Sequence, residues 1–209
     1  AYHSPPIALG SSHDYCFSAD GREICFVSNH DPELATSTNN DVFLYNLPVN
    51  KVTKISISPG NDCNPHYSPD GVHIAYTSME RSGFEADRQR LMLYNRKTGG
   101  TGELTVGFTL SVEEIIWSAD SRELYFTAEE AENVSIYKVN LKTKKIEAVL
   151  KDHYVSGVKF LNKEELVFAG QSTRYPAEIF RYNLRNRKLT QLTHFNTENL
   201  GRFELPGYE

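Results

Sequence analysis

The 209-residue chain is poor in sulfur, with two Met and three Cys. Cys16, Cys25 and Cys63 are too few, and odd in number, for a disulfide scaffold. Cys16 and Cys25 flank one hairpin and can face each other across it, but the same positions in the repeats described below hold His66/Ala75 and Ile116/Tyr125, so buried free thiols are expected. Basic charge is also short. Lys and Arg number 22 against 27 Asp and Glu, a net charge of −5, which argues against non-specific nucleic-acid binding because phosphate neutralisation needs a basic surplus. No run of eighteen apolar residues occurs, so no membrane insertion is expected. Residues 1–14, "AYHSPPIALGSSHD", lack the basic start and apolar stretch of a signal peptide, and the compartment stays open. No glycine loop cradles a phosphate; "TGGTGE" at 98–103 reads as a hairpin turn. The seven His (3, 13, 30, 66, 73, 153, 194) have no metal-ligand spacing, "SNHDPE" lacks a calcium loop's alternating oxygens, and no metal or other cofactor is expected. Helical periodicity is missing over any useful length. What the chain has in quantity is Tyr (12) and Phe (11), which favour strands.

Those aromatics sit in a repeat. "CFSADGREICFVSN" at 16–29 returns as "HYSPDGVHIAYTSM" at 66–79, as "IWSADSRELYFTAE" at 116–129, and in worn form as "VKFLNKEELVFAG" at 158–170. In the first three, Ser and Asp bracket a turn whose Gly21 and Gly71 tolerate positive φ; Ser121 replaces that Gly. Each hairpin is followed by a strand-like run ending in Asn (Asn46, Asn95, Asn140, Asn183) and then by a further short run. The Asn spacings of 49, 45 and 43 residues define units of four strands.

Repeats of this length with four antiparallel strands predict an all-β fold, a β-propeller of four-stranded blades. One such sheet cannot hide both apolar faces, and stacked blades hide each other's. The expected blades are 13–57, 62–106, 111–150 and 154–194, with residues 1–12 leading in and 195–209 leading out. Four is the low end for a closed propeller, so a part of a larger ring is expected. A β-sandwich with accidental internal similarity is the competing reading.

The hairpins resemble the propeller repeats of TolB-type proteins and the prolyl oligopeptidase clan. The second repeat, 64–105, and above all "GFEADRQRLMLY" at 83–94, is similar to the propeller of dipeptidyl peptidase V and acylaminoacyl-peptidase-like enzymes; "SPPIALGSSHDYCFSADG", "IIWSADSRELYFTAEE" and "AEIFRYNL…LTQLTHFN" follow in the family's order. The resemblance spans essentially the whole chain. It implies a seven- or eight-bladed propeller followed by an α/β-hydrolase domain, with this chain the second half of the propeller and "LTHFNTENLGRFELPGYE" its exit toward the hydrolase. No G-x-S-x-G nucleophile elbow occurs, so the chain by itself is not expected to hydrolyse peptides.

The implied function is that of the non-catalytic propeller of a serine exopeptidase, which gates the cavity and helps anchor a peptide's N-terminus. Its partners would be a peptide substrate and the hydrolase domain of the same protein; a homo-oligomer stays open. A free α-amine is a cation and needs carboxylates. The long charged loops between second and third strands (29–40, 80–89, 129–133, 171–178) form one rim, and on it Glu85 and Asp87 are the best carriers; Asp87 can instead fix Arg88, and an Arg can meet a substrate carbonyl or carboxylate. A salt-bridge network that only shapes the loop is the plain alternative. Glu129, Glu130 and Glu132 read as a solvated acidic loop, 181–189 as the solvated side of an outer strand, and Asn133-Val134-Ser135 as a glycosylation sequon that matters only on secretion. A stand-alone TolB-like propeller that binds a protein or peptide is the second reading.

Overall fold

Residues 70–80 and 120–130, where a helix would have broken the repeat, form a tight turn and a strand each time in the computed structural model, which describes residues 3–172 and 175–202. The first unit is β1 (Tyr15–Phe17), β2 (Glu23–Asn29), β3 (Asn40–Asn46) and β4 (Lys51–Lys54). The second is β5 (Asp62–Tyr67), β6 (His73–Ser78), β7 (Arg90–Asn95) and β8 (Thr101–Glu103). The third is β9 (Val112–Trp117), β10 (Glu123–Glu130), β11 (Asn133–Asn140) and β12 (Ile146–Leu150). The fourth is β13 (Tyr154–Asn162), β14 (Glu165–Ser172), β15 (Tyr175–Asn183) and β16 (Leu189–Gln191), followed by one helical turn, Thr197–Leu200. Each unit is an antiparallel meander in chain order. Thr173 and Arg174 of the fourth long loop, and residues 203–209 of the exit segment, lie outside the described residues.

The repeated turn has one mechanism in three copies. The hydroxyls of Ser18, Ser68 and Ser118 donate to Asp20, Asp70 and Asp120 (2.7, 2.6 and 2.8 Å) and accept the backbone N–H of Glu23, His73 and Glu123 at 2.9 Å. The same Asp oxygens accept the N–H two residues on, from Arg22, Val72 and Arg122. Gly21, Gly71 and Ser121 hold φ of 66°, 67° and 59°. The recurring Asn is also explained: the side-chain carbonyls of Asn95, Asn140 and Asn183 accept two backbone N–H groups of the following turn, and that of Asn46 accepts one.

Burial follows from period two. In β10, Leu124, Phe126 and Ala128 pack against Leu91 and Leu104 of the second unit, while Tyr125 faces the fourth unit's cluster of Val155, Val158, Leu166, Phe168 and Phe180. In β6, Ile74 and Tyr76 join Cys25, Val27 and Val42 of the first unit, while Ala75 turns to the third. A strand whose two faces are buried by different neighbours reads as a continuous apolar run, because neither face meets water. The three clusters therefore fill the three junctions between consecutive units.

One feature departs from four separate sheets. The third and fourth units share an eight-stranded sheet through a single parallel pair, Val134 with Tyr154, where the Val134 N–H donates to His153 O at 3.1 Å. β12 pairs with β11 only over Ile136–Val139, with a register shift at Ile136, so the edge of β11 at Val134 is open where the short 151–153 connection passes. Cys16 and Cys25 are cross-strand partners with free thiols; Cys25 is buried, and Cys16 and Cys63 are half-buried.

Candidate functional site

The antiparallel order places the loops after β2, β6 and β10 on one face and the Ser–x–Asp turns on the other. On the loop face, residues 80–89 are braced by side-chain contacts. Asp87, whose side chain is 8% exposed, pairs with Arg81 at 2.8 Å and accepts the backbone N–H of Glu80, Arg81 and Arg88 at 3.0, 2.8 and 3.0 Å. The Arg81 guanidinium, followed by these N–H groups, holds the Asp87 carboxyl far below the usual carboxylate range. Arg81 also lies over the Phe84 ring, 4.0 Å from its centroid. Arg88 donates to Phe108 O at 2.7 Å and to Glu103 at 3.1 Å, so it ties the loop to the second unit's outer edge and the following connection. Gly83, at φ 70°, donates to Thr38 Oγ1 of the first unit's long loop at 3.0 Å.

Glu85 stands apart. It is exposed and, among the described residues, has no hydrogen bond or ion pair. The structure thus divides the three candidate residues: Asp87 and Arg88 fix the loop, Asp87 holding the Arg81 side chain and only the backbone of Arg88, while Glu85 carries a free carboxylate on that frame.

The acidic loop of the third unit is partly engaged. Glu130 pairs with Lys151 at 2.9 Å and accepts the Tyr137 hydroxyl at 2.9 Å, while Glu129 and Glu132 are exposed. Sequence reasoning passed over Glu113 and Glu114, which lie near the start of β9 on the same face. Burial, then the charges of Glu129 and Glu114, push the Glu113 carboxyl up. Glu114 accepts the N–H of Gly157 at 2.6 Å and of Val158 at 2.8 Å. The signal was available in the alignment, because Asp14, Asn64 and Glu114 occupy one repeat position. Asp14 accepts the Asn64 N–H at 3.2 Å, and Asn64 donates through its amide to Glu113 O at 2.9 Å. One position therefore links each inner strand to the next. Asn64 and Gly157, at φ 55° and 63°, sit at the strand irregularities that present these N–H groups.

Among the described residues no group of His, Cys, Asp and Glu side chains is arranged to hold a metal ion, and no helix is long and apolar enough to cross a membrane.

No family model matches the chain. Dipeptidyl-peptidase 5 of Porphyromonas gingivalis is 30% identical over 204 residues, covering 96% of this chain and 30% of that protein. Dipeptidyl-peptidase 5 of Porphyromonas endodontalis is 33% identical over 205 residues with the same coverages. The chain thus spans about a third of the length of the curated relatives it matches. Among solved structures, dipeptidyl peptidase 4 of P. gingivalis superposes with a TM-score of 0.65 at 15% identity, over 86% of this chain and 32% of that one. A TolB of Agrobacterium tumefaciens gives 0.64 at 14% identity, over 85% and 63%. These structures carry the fold, and the sequence relatives carry the kinship. The chain is an all-β segment of four-stranded antiparallel units, similar over nearly its whole length to dipeptidyl-peptidase 5 and sharing its fold with parts of a dipeptidyl peptidase 4 and a TolB.

Proposed function

We propose that the chain is the propeller portion of a serine exopeptidase of the dipeptidyl-peptidase or acylaminoacyl-peptidase type. The four units are then four blades, 13–57, 62–106, 111–150 and 154–194, of a seven- or eight-bladed ring. The ring walls off the active-site cavity, excludes folded proteins and helps hold the peptide's N-terminal end, while an α/β-hydrolase domain of the same protein supplies the nucleophile. The observation that carries the reading is the similarity to dipeptidyl-peptidase 5 across 96% of the chain. Glu85, Asp87 and Arg88 form the substrate-side element: Asp87 and Arg88 immobilise the loop, and Glu85 presents the carboxylate to the α-amine. A charge-assisted contact on a pre-set loop loses little entropy on binding, which is the benefit of preorganisation.

The test is Glu85→Gln in the full-length protein, assayed on paired peptides with free and acetylated N-termini. The expected result is a fall in kcat/KM of about tenfold for free amines, the loss of one solvent-accessible charged hydrogen bond, with acetylated substrates unchanged. Equal effects on both remove Glu85 as the amine anchor. The TolB likeness supports a second reading, a binding propeller without chemistry. A G-x-S-x-G motif encoded within a few hundred residues downstream favours the peptidase; an early stop favours the binder.

A further inference from the structure

The turn face carries a groove at each junction between consecutive units. Between the first and second it is lined by residues including Glu23, Lys51, Arg96 and Lys97. Between the third and fourth it includes Lys138, Glu147 and Arg187. The groove between the second and third is the largest of these, about 870 Å³ against about 410 and 130 Å³, and no carboxylate lines it. Its lining includes Arg122, Lys142 and Lys144 around Leu93 and Leu141.

The repeat explains the missing acid. The first residue of each second strand is Glu23, His73, Glu123 or Glu165. The three glutamates each meet a cation: Glu23 meets Arg96, Glu123 meets Lys138 at 2.9 Å, and Glu165 meets Arg181 at 3.6 Å. His73 supplies no negative charge. Its Nε2 lies 3.4 Å from the Asn95 amide nitrogen, whose own carbonyl is taken by two backbone N–H groups, so Nε2 accepts and the ring proton sits on Nδ1, which is buried without a partner. Among the described residues Lys142 and Lys144 have no ion-pair partner, and Arg122 has only Asp120 at 3.9 Å. Arg122, Lys142 and Lys144 thus line a concavity in which, among the described residues, no carboxylate takes part, in a chain whose net charge is −5. A concavity lined by cations and by no acid has a positive potential that draws in anions.

We propose that this groove binds a small, multiply charged anion bearing carboxylate or phosphate groups, held by Arg122, Lys142 and Lys144 over the Leu93–Leu141 floor. Arg122 offers the planar fork suited to either group, and the two lysines act as point charges. The groups acting on His73 are Asp70, Lys97 and Lys144, so a bound anion favours its protonated form.

The test is titration of the full chain with citrate and, separately, with inorganic phosphate at constant chloride, read by calorimetry and by the His73 imidazole resonance. One saturable site is expected, with His73 titrating at higher pH when it is filled. Citrate alone binding assigns carboxylates, phosphate alone assigns phosphates, and both support the shared chemistry. Lys144→Gln combined with Arg122→Gln should weaken binding about tenfold or more, the loss of two charged contacts. His73→Glu, which restores the residue type of the other units, should abolish it. Silence of both probes, or undiminished binding in the exposed-residue double variant, overturns the proposal; that variant decides the matter if His73→Glu melts early.

Discussion

Replacing Asp62 by Asn should stabilise the protein above neutral pH, although it alters a fully buried residue. Asp62 begins β5 at the first junction, is 0% exposed, and neither carboxylate oxygen has a hydrogen-bond partner. The Ser56 hydroxyl donates to Asp41 at 2.8 Å, and the Ser78 hydroxyl lies 3.3 Å from Met79 O, so both hydroxyls near Asp62 are directed elsewhere. Asp41 adds a second negative charge, which Lys54 neutralises at 2.6 Å. Burial first, and Asp41 with it, raise the Asp62 carboxyl to about 7, with Ser78, Ser56 and Lys54 acting in the opposite sense. An unfolded aspartate titrates near ~3.9. Between those values the folded state holds a proton that the unfolded state has released, so stability falls as pH rises from about 4 to about 7 and then levels. The full span corresponds to on the order of 4 kcal/mol, an upper bound because the interior relaxes around a charge.

His66 works in the opposite direction over an overlapping window. Burial, then Lys159 and His13, lower its imidazole to about 4. It must charge on unfolding in acid, so its contribution rises with pH from about 4 to about 6.5. The two slopes oppose each other in the wild-type chain, so its profile alone does not isolate either group. The difference between wild type and Asp62→Asn isolates Asp62, because His66 is common to both. Urea unfolding at pH 5 and pH 8 should show the variant gaining stability relative to wild type by on the order of 2–3 kcal/mol between the two. A difference that does not change with pH refutes the reasoning, since it would mean that Asp62 is ionised in the folded chain throughout.

Glu114→Ala removes the carboxylate that joins β9 to the Gly157 and Val158 amides and should cost about 1–2 kcal/mol by urea unfolding, the exposed half of the contact being discounted for solvent. Glu114→Gln should recover part of that loss by keeping one acceptor. Gly21 and Gly60 should separate two glycine effects in thermal melts. Gly21→Ala enters open space at φ 66° and should cost about 1–2 kcal/mol of left-handed strain. Gly60→Ala drives a methyl within 2.6 Å of Met79 O, a backbone atom that cannot rotate away, and should cost about 3 kcal/mol.

The units were legible because each is specified by residues close in sequence. Ser18, Asp20 and Gly21 close a turn within six residues, and Asn140 caps the next one with its own carbonyl, so repetition of the letters reports repetition of the geometry. What joins unit to unit was harder to see, because its partners lie about fifty residues apart: Asp14 with Asn64, Glu114 with Gly157, Trp117 Nε1 with His66 O at 3.2 Å. No local pattern announces these contacts, and each reads alone as an isolated polar residue. They become visible when the copies are superposed and a position is compared with its own counterpart in the next unit. The comparison works through exceptions as much as agreements. Ser121 at φ 59°, where two units have Gly, offers its hydroxyl to the Asp70 N–H across the junction at 3.0 Å, and so turns a strained backbone position into a cross-unit tie. His73, where three units have Glu, leaves a junction without its acid. In the 80–89 loop no second copy exists for comparison, so the sequence could name Glu85, Asp87 and Arg88 but could not divide them. Only the fold separates the carboxylate committed to Arg81 from the one left free. In a repeat protein, then, agreement between copies reports what every unit needs to fold, and the departures are where function has room to differ.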